Sequence, residues 1–167
     1  MSESMKNHAL NYAVNGWYVL PCKKGAKEPL TTNGASDASN DPAQISKWWG
    51  RWPNANIAIN TGKSGLVILD VDPRNGGNES LENLVDIHGE EFLSPVEVLT
   101  GGGGKHYYYT AKENSNQSLP SSLGDGLDLI RGNKYVIVPP STHSSGNAYS
   151  WRTNPFEFEE VLDDEEL

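Results

Sequence analysis

The chain has 167 residues, 22 acidic and 13 basic, for a formal net charge of −9. That length fits one domain, or two small lobes sharing a core. The longest apolar runs, such as Leu66 to Leu69, fall far short of the roughly 20 residues that span a bilayer. The N-terminus MSESMKNHAL lacks the basic stretch and apolar run of a secretory signal. The single Cys22 can build neither an internal disulfide nor a Cys-rich zinc site. These features lead us to expect an intracellular, cytoplasmic protein with no membrane partner and no zinc.

The acidity is mostly a tail. Residues 157–167 (EFEEVLDDEEL) hold seven acids and no base, which leaves 15 acids against 13 bases elsewhere. We therefore expect a folded body over 1–156 and an acidic tail over 157–167. A near-neutral body can still bind polynucleotide where its bases cluster, but a tight non-specific grip on duplex needs many phosphate contacts.

The elements follow in chain order. Residues 5–15 carry Met5, Ala9, Leu10, Ala13 and Val14 at helical spacing, with Gly16 as the stop. Trp17 to Leu20 reads as a strand closed by Pro21, and 22–40 as a long polar loop with Cys22 in its basic start. Asp41-Pro42 opens a second helix, with Asp41 as cap, Pro42 at the first helical position and Gln44 completing a capping box. Asn56 to Asn60 and Leu66 to Val71 read as strands, and Leu81, Leu84 and Val85 mark a third helix ending before Gly89. Val96 to Leu99 and His106 to Thr110 read as strands around Gly101 to Gly104. Leu127 to Ile130 and Tyr135 to Val138 read as two more joined by a turn at Gly132-Asn133, with a last edge strand at 148–152. The order implies an α+β domain with a mixed or antiparallel sheet and an N-terminal α/β layer.

Three places can carry chemistry. The strand Leu66 to Val71 delivers Asp70 and Asp72, which at i and i+2 face the same way. Paired carboxylates suit a hard cation such as Mg²⁺ or Mn²⁺. A strand running into the polar turn Pro73-Arg74-Asn75-Gly76 would look the same. Gly101 to Gly104, followed by Lys105 and His106, can bring backbone N–H groups and two donors to a phosphate. A flexible hairpin turn is the plainer alternative. Asp128 lies between apolar strand residues, as a third carboxylate or as a partner of Arg131. His8, His88 and His143 carry less; His143 sits in a Ser/Thr/Gly loop after Pro139-Pro140-Ser141 that could touch a ligand, though the plain loop is the favoured reading.

The ordered series ALNYAVNGWYVLP (9–21), GAKEPL (25–30), Asp41-Pro42, Trp48-Trp49, WPNANI (52–57), TGKSGLVILDVD (61–72), Gly103 to His106, Leu127-Asp128 and YVIVPPS (135–141) resembles the bifunctional DNA primase/polymerase N-terminal family. That family is a branch of the archaeo-eukaryotic primase superfamily, whose catalytic core holds an RRM-like sheet. The resemblance covers about residues 9–141. It departs at Asn133-Lys134, where relatives often have Gly-Gly. It implies a template-dependent nucleotidyltransferase using two ions roughly 3.5–4 Å apart. Asp70, Asp72 and Asp128 would be the catalytic metal ligands. His106, Lys105, Gly103, Gly104, Arg131 and Lys27 would contact the nucleotide. Implied partners are nucleoside triphosphates, a single-stranded DNA template or primer–template, and a helicase or helical accessory domain. With Lys23, Lys24 and Lys27 as its only evident basic loop, the chain is expected to extend primers better than it starts them. The alternatives are a metal-dependent nuclease or phosphodiesterase and a non-catalytic nucleic-acid-binding module of the same fold. A replication-initiator endonuclease is disfavoured, because no His-x-His occurs.

Overall fold

The computed structural model describes residues 4–111, 119–153 and 156. The acidic tail proposed from the sequence lies outside the described residues. Helices α1 (Met5–Val14), α2 (Pro42–Arg51) and α3 (Gly77–His88) accompany nine strands. The strands are β1 (Val19–Cys22), β2 (Asn56–Asn60), β3 (Leu66–Val71), β4 (Glu97–Leu99), β5 (Lys105–Thr110), β6 (Ser122–Gly124), β7 (Leu127–Ile130), β8 (Tyr135–Val138) and β9 (Ser150–Trp151). Every pairing is antiparallel. A three-stranded sheet runs β1-β2-β8 and a six-stranded sheet runs β6-β7-β3-β5-β4-β9. The architecture is α+β, as expected for a primase-like core. Among the described residues no helix is long and apolar enough to cross a membrane.

Local chemistry sets the helix ends. Ser4 Oγ accepts from Asn7 N–H at 3.2 Å to cap α1, and Gly16 leaves the helix at φ +92°. Asp41 accepts from Ala43 N–H at 3.0 Å with Pro42 at the first helical position of α2.

Three local expectations change. Pro21 does not close β1; it lies inside it, opposite Ile57. Val19 N–H points outward to Ser39 O at 2.9 Å, so Pro21, two residues on, has its missing donor on that same outer edge. Cys22 is consequently a buried strand residue, not part of a basic loop. The segment after it is not a plain loop either: a 3₁₀ turn at Gly34–Asp37 and bridges Cys22↔Pro29 and Val19↔Ser39 fold it onto β1. The turn expected at Gly132-Asn133 does join β7 to β8, but the two strands lie in different sheets. β7 lies beside β3 and β8 beside β2, so the intervening turn carries the chain from one sheet to the other. There Asn133 takes a structural part, its Oδ1 accepting from Asn60 Nδ2 at 2.9 Å and its Nδ2 donating to Ser36 Oγ at 3.0 Å. The short strand β6 was not anticipated.

The six-stranded sheet has two buried faces. Val67, Leu69 and Val71 point to a core that takes in Leu81 of α3. Leu66 and Ile68 point to a larger core shared with α1, α2 and the three-stranded sheet. An aromatic column ties the two sheets together. Tyr12 of α1 stacks on Trp17 (centroids 5.5 Å, interplanar 5°), and Trp17 stacks on Tyr108 of β5 (5.6 Å, 18°). Each such contact contributes about 0.5–1.5 kcal/mol beyond its buried area. Tyr12 Oη donates to Pro139 O at 2.6 Å and accepts from Trp151 Nε1 at 3.0 Å. Tyr108 Oη, by contrast, is buried with no partner among the described residues.

Two stability predictions follow from these burials. An unpartnered buried hydroxyl costs about 1–3 kcal/mol, so Tyr108→Phe should raise the melting temperature by about 2–4 °C per kcal/mol recovered. A lower melting temperature in a thermal scan would show that the hydroxyl contributes. The second concerns alkaline pH. Burial pushes the Cys22 thiol up from 9.0 to about 12. Between those values the unfolded chain loses that proton and the folded chain keeps it, so stability falls as pH rises. Melting temperatures should drop from pH 9 upward, and more shallowly in Cys22→Ala; equal slopes would refute the assignment.

Candidate active site

The site is built on one row of the six-stranded sheet. Asp70 of β3 lies directly opposite His106 of β5 on one side and Asp128 of β7 on the other. Facing residues of antiparallel strands project to the same face with Cβ atoms roughly 4.5–5.5 Å apart. The three side chains therefore stand side by side. Leu69 and Val71, which flank Asp70, are fully buried on the opposite face, and this fixes which way Asp70 points. His106 is 8% exposed. Its Nε2 lies 3.3 Å from Asp70 Oδ1, and its Nδ1 is buried without a partner among the described residues. Nε2 is thus placed to donate to the Asp70 carboxylate.

Asp72 lies one residue beyond β3, where it shapes the turn. Its Oδ1 accepts from Arg74 N–H at 3.0 Å and its Oδ2 from Asn75 Nδ2 at 2.5 Å. The backbone of this turn is pinned from outside: Asp72 N–H donates to Gly126 O at 2.8 Å, and Gly77 N–H to Asp72 O at 2.9 Å. A Cβ at Gly77 would meet Asp72 O at 2.6 Å, so only glycine lets α3 start this close.

Asp70, Asp72 and His106 line one cavity of about 160 Å³ with Lys27, Arg74 and His143. A recess of about 80 Å³ continues it toward β8 and shares Lys27, Asp70, His106 and Tyr149. The cleft thus lies where the two sheets meet. Neither Lys27 nor Arg74 makes a side-chain ion pair or hydrogen bond among the described residues. Two carboxylates therefore face two uncommitted cations. Tyr149 is 4% exposed, and burial and then the charge of Asp70 push its hydroxyl up.

The fully buried Asn56 of β2 organises the far wall. Its Nδ2 donates to Ala26 O at 3.0 Å and to Thr142 O at 2.8 Å, and its Oδ1 accepts from Thr142 N–H at 3.1 Å. One amide thereby ties down the residue before Lys27 and the residue before His143.

Not every residue singled out in the sequence lines the cleft. Asp70, Asp72, His106, Lys27 and Gly104 do. Asp128 is in register with Asp70 but exposed and outside the cavity lining. Lys105 precedes His106 in β5 and so points to the opposite face. Arg131 donates to Leu119 O at 2.5 Å and Pro120 O at 2.9 Å, away from the cleft. The glycine run works differently from a phosphate cradle. Gly103 N–H donates to Thr100 O at 3.1 Å and Gly104 N–H to Thr100 Oγ1 at 2.9 Å, so both donors are spent within the turn. A Cβ at Gly104 would meet Val71 O at 2.5 Å, and one at Gly101 would meet His143 Cβ at 2.2 Å. The run lets β3 and the 141–147 loop approach closely. Sequence reasoning set His143 aside as a loop residue and passed over Tyr149, Arg74 and Thr100. Arg74, two residues after Asp72, was the one with a local signal.

Hard divalent cations often bind through one or two carboxylates, with water and substrate phosphates completing the shell. Asp70 and Asp72 fit that use. Among the described residues no three of His, Cys, Asp and Glu are grouped to hold an ion alone.

The antiparallel sheet thus presents two acids and a buried histidine to a cleft that Lys27 and Arg74 also line. Residues 9–164 match Prim-Pol, described as bifunctional DNA primase/polymerase, N-terminal, and the chain belongs to that family. Membership indicates DNA primase/polymerase activity in general, hence a nucleotidyltransferase-type enzyme. No curated protein matches the chain.

The glycine geometry gives a prediction. Gly101→Ala puts a Cβ into His143 and Asn147 O, whereas Gly103→Ala meets open space and strains only a φ of +90°. Overpacking costs about 1–3 kcal/mol, and Ala at positive φ about 1 kcal/mol. Gly101→Ala should therefore lower the melting temperature and slow incorporation more than Gly103→Ala. The reverse order would show that the turn conformation, not the packing, matters.

Proposed function

We propose that the chain is a template-dependent nucleotidyltransferase that adds nucleotides to a primer 3′-hydroxyl in the cleft between the two sheets. One observation carries this reading: Asp70, Asp72 and His106 converge with the unpaired Lys27 and Arg74 on a single cavity. In the reaction the primer 3′-hydroxyl gives up its proton to solvent, its oxygen bonds to the α-phosphorus, and the bond from that phosphorus to the leaving pyrophosphate breaks. Divalent ions, Mg²⁺ or Mn²⁺, would supply charge stabilisation at both oxygens. Asp70 and Asp72 would hold them, with Asp128 one strand away at the same height as the third acid. Asp72 is oriented for this by the Arg74 and Asn75 donors.

The chain's own groups do the rest. Lys27 and Arg74 offset the negative charge of the triphosphate, and preorganised charges need no reorientation as that charge moves to pyrophosphate. His106 steadies Asp70 through Nε2 and lines the cavity that would take the nucleotide. Hydrolysis at the same acids would make a nuclease. The cations beside the acids favour transfer from a triphosphate, because a nuclease needs no site for a free polyphosphate. The single-stranded template would approach along the loop of Lys23, Lys24 and Lys27, all three exposed.

The test is templated incorporation of labelled nucleotides, with and without primer, in Mg²⁺ and in Mn²⁺. Asp70→Asn should lower incorporation at least about a hundredfold, in line with losing one principal charge-stabilising group. Its melting temperature should stay unchanged, since Asp70 is partly exposed at the end of its strand. Near-normal primer extension by Asp70→Asn would overturn the assignment. Triphosphate-independent cleavage of DNA by the unaltered chain would favour the nuclease.

A further inference from the structure

Transfer by Asp70, Asp72, His106, Lys27 and Arg74 makes no use of His143, although His143 lines the same cavity. Its loop is built to present it. His143 N–H donates to Asn147 O at 2.8 Å and Gly146 N–H to His143 O at 2.9 Å, with Gly146 at φ +91° closing the turn. Asn56 clamps the preceding residue through both polar atoms of Thr142's backbone. Gly101, lacking a Cβ, receives the His143 side chain against its backbone.

The ring's own hydrogen bonds choose its tautomer. Ser145 N–H donates to His143 Nδ1 at 3.0 Å. An amide proton cannot be relocated, so Nδ1 is an acceptor and the proton of the neutral ring sits on Nε2. Ser145 Oγ, 3.0 Å from Nδ1, donates to Gly101 O at 3.0 Å, so the hydroxyl proton has its own acceptor. Nε2–H has no protein partner among the described residues. It lies beside Gly102, where a Cβ would approach it to 3.0 Å. Gly102 lines the cavity as well. The result is a fixed donor held on the cleft wall beside Lys27, whose loop is anchored by the same Asn56.

From this geometry we infer that His143 is a phosphate-binding residue, its Nε2–H donating to a phosphate oxygen of the incoming nucleoside triphosphate. The inference rests on the primase/polymerase reading of the same cleft.

The experiment uses the full chain. Binding of deoxyadenosine triphosphate with Mg²⁺, without template, is measured by calorimetry, and primer extension gives kcat and KM. His143→Ala should raise both Kd and KM about ten- to a hundredfold, the worth of a hydrogen bond to a charged group. kcat should change far less, and affinity for a labelled single-stranded oligonucleotide should stay constant. His143→Gln, whose amide nitrogen can reach the place of Nε2, should recover most of the loss. Triphosphate affinity unchanged in His143→Ala, in a chain that extends primers, overturns the inference and leaves the primase/polymerase reading standing. A glutamine variant as defective as the alanine variant, or a loss confined to oligonucleotide binding, overturns it too. An unaltered chain that extends no primer sinks the parent reading and this inference with it.

Discussion

Asp70 lies between two antiparallel neighbours, and the register on both sides places it level with His106 and Asp128. Side chains alternate along a strand, so a slip of one residue in β3 would turn Asp70 into the α3 core and bring Leu69 or Val71 into the cleft. The apolar residues prevent that slip. Val67, Leu69 and Val71 are all fully buried on the α3 side, and Ile68 is fully buried on the other. Burying each such side chain is worth about 1.5–3 kcal/mol, far more than one exposed carboxylate could gain by choosing another partner. The hydrophobic pattern of a single strand thereby aims the acid and sets the height of its neighbours.

One sheet alone would leave this row open to solvent. The cleft exists because the second sheet docks against the same face, held by the Tyr12–Trp17–Tyr108 column and by the turn that carries β7 into β8. Asn56 then serves the second wall as the register serves the first. It is buried, and its amide is satisfied by three backbone groups from two loops. An amide that deeply buried costs several kcal/mol unless its partners stay in place, so the loops carrying Lys27 and His143 are held at fixed spacing. Asp70 and Asp72, with Arg74 beside them, on one wall and Lys27 and His143 on the other leave a cavity between them.

The glycines deserve their number for a reason other than flexibility. Gly77, Gly101 and Gly104 each lie where a Cβ would come within 2.2–2.6 Å of a neighbouring backbone or side chain. They permit three backbone-level contacts around the cleft: α3 onto the Asp72 turn, the 141–147 loop onto the glycine turn, and that turn onto β3. Each contact brings a functional side chain to the cavity rim.

Much was legible in the sequence because it is encoded locally. The helix caps at Asp41 and Gly89, the β3 run ending in Asp70 and Asp72, and the succession of most strands along the chain each depend on residues a few positions apart. The ordered motifs that mark the family are read the same way, and with them the acids and His106. What lay beyond reach is non-local. Pro21 sits inside a strand because that strand is an edge, and no run of residues states which strand is an edge. β7 and β8 are joined by a short turn, and only the docking of two sheets sends them to different sheets. Lys105 and Arg131 have the right chemistry beside the right neighbours, yet strand alternation turns one away and the carbonyls of Leu119 and Pro120 take up the other. His143 sits 73 residues beyond Asp70, in a loop with no pattern of its own. Chain-local spacing determines which way a side chain leaves its element; which side chains then meet is decided by packing between elements, and packing brought His143 to the cleft.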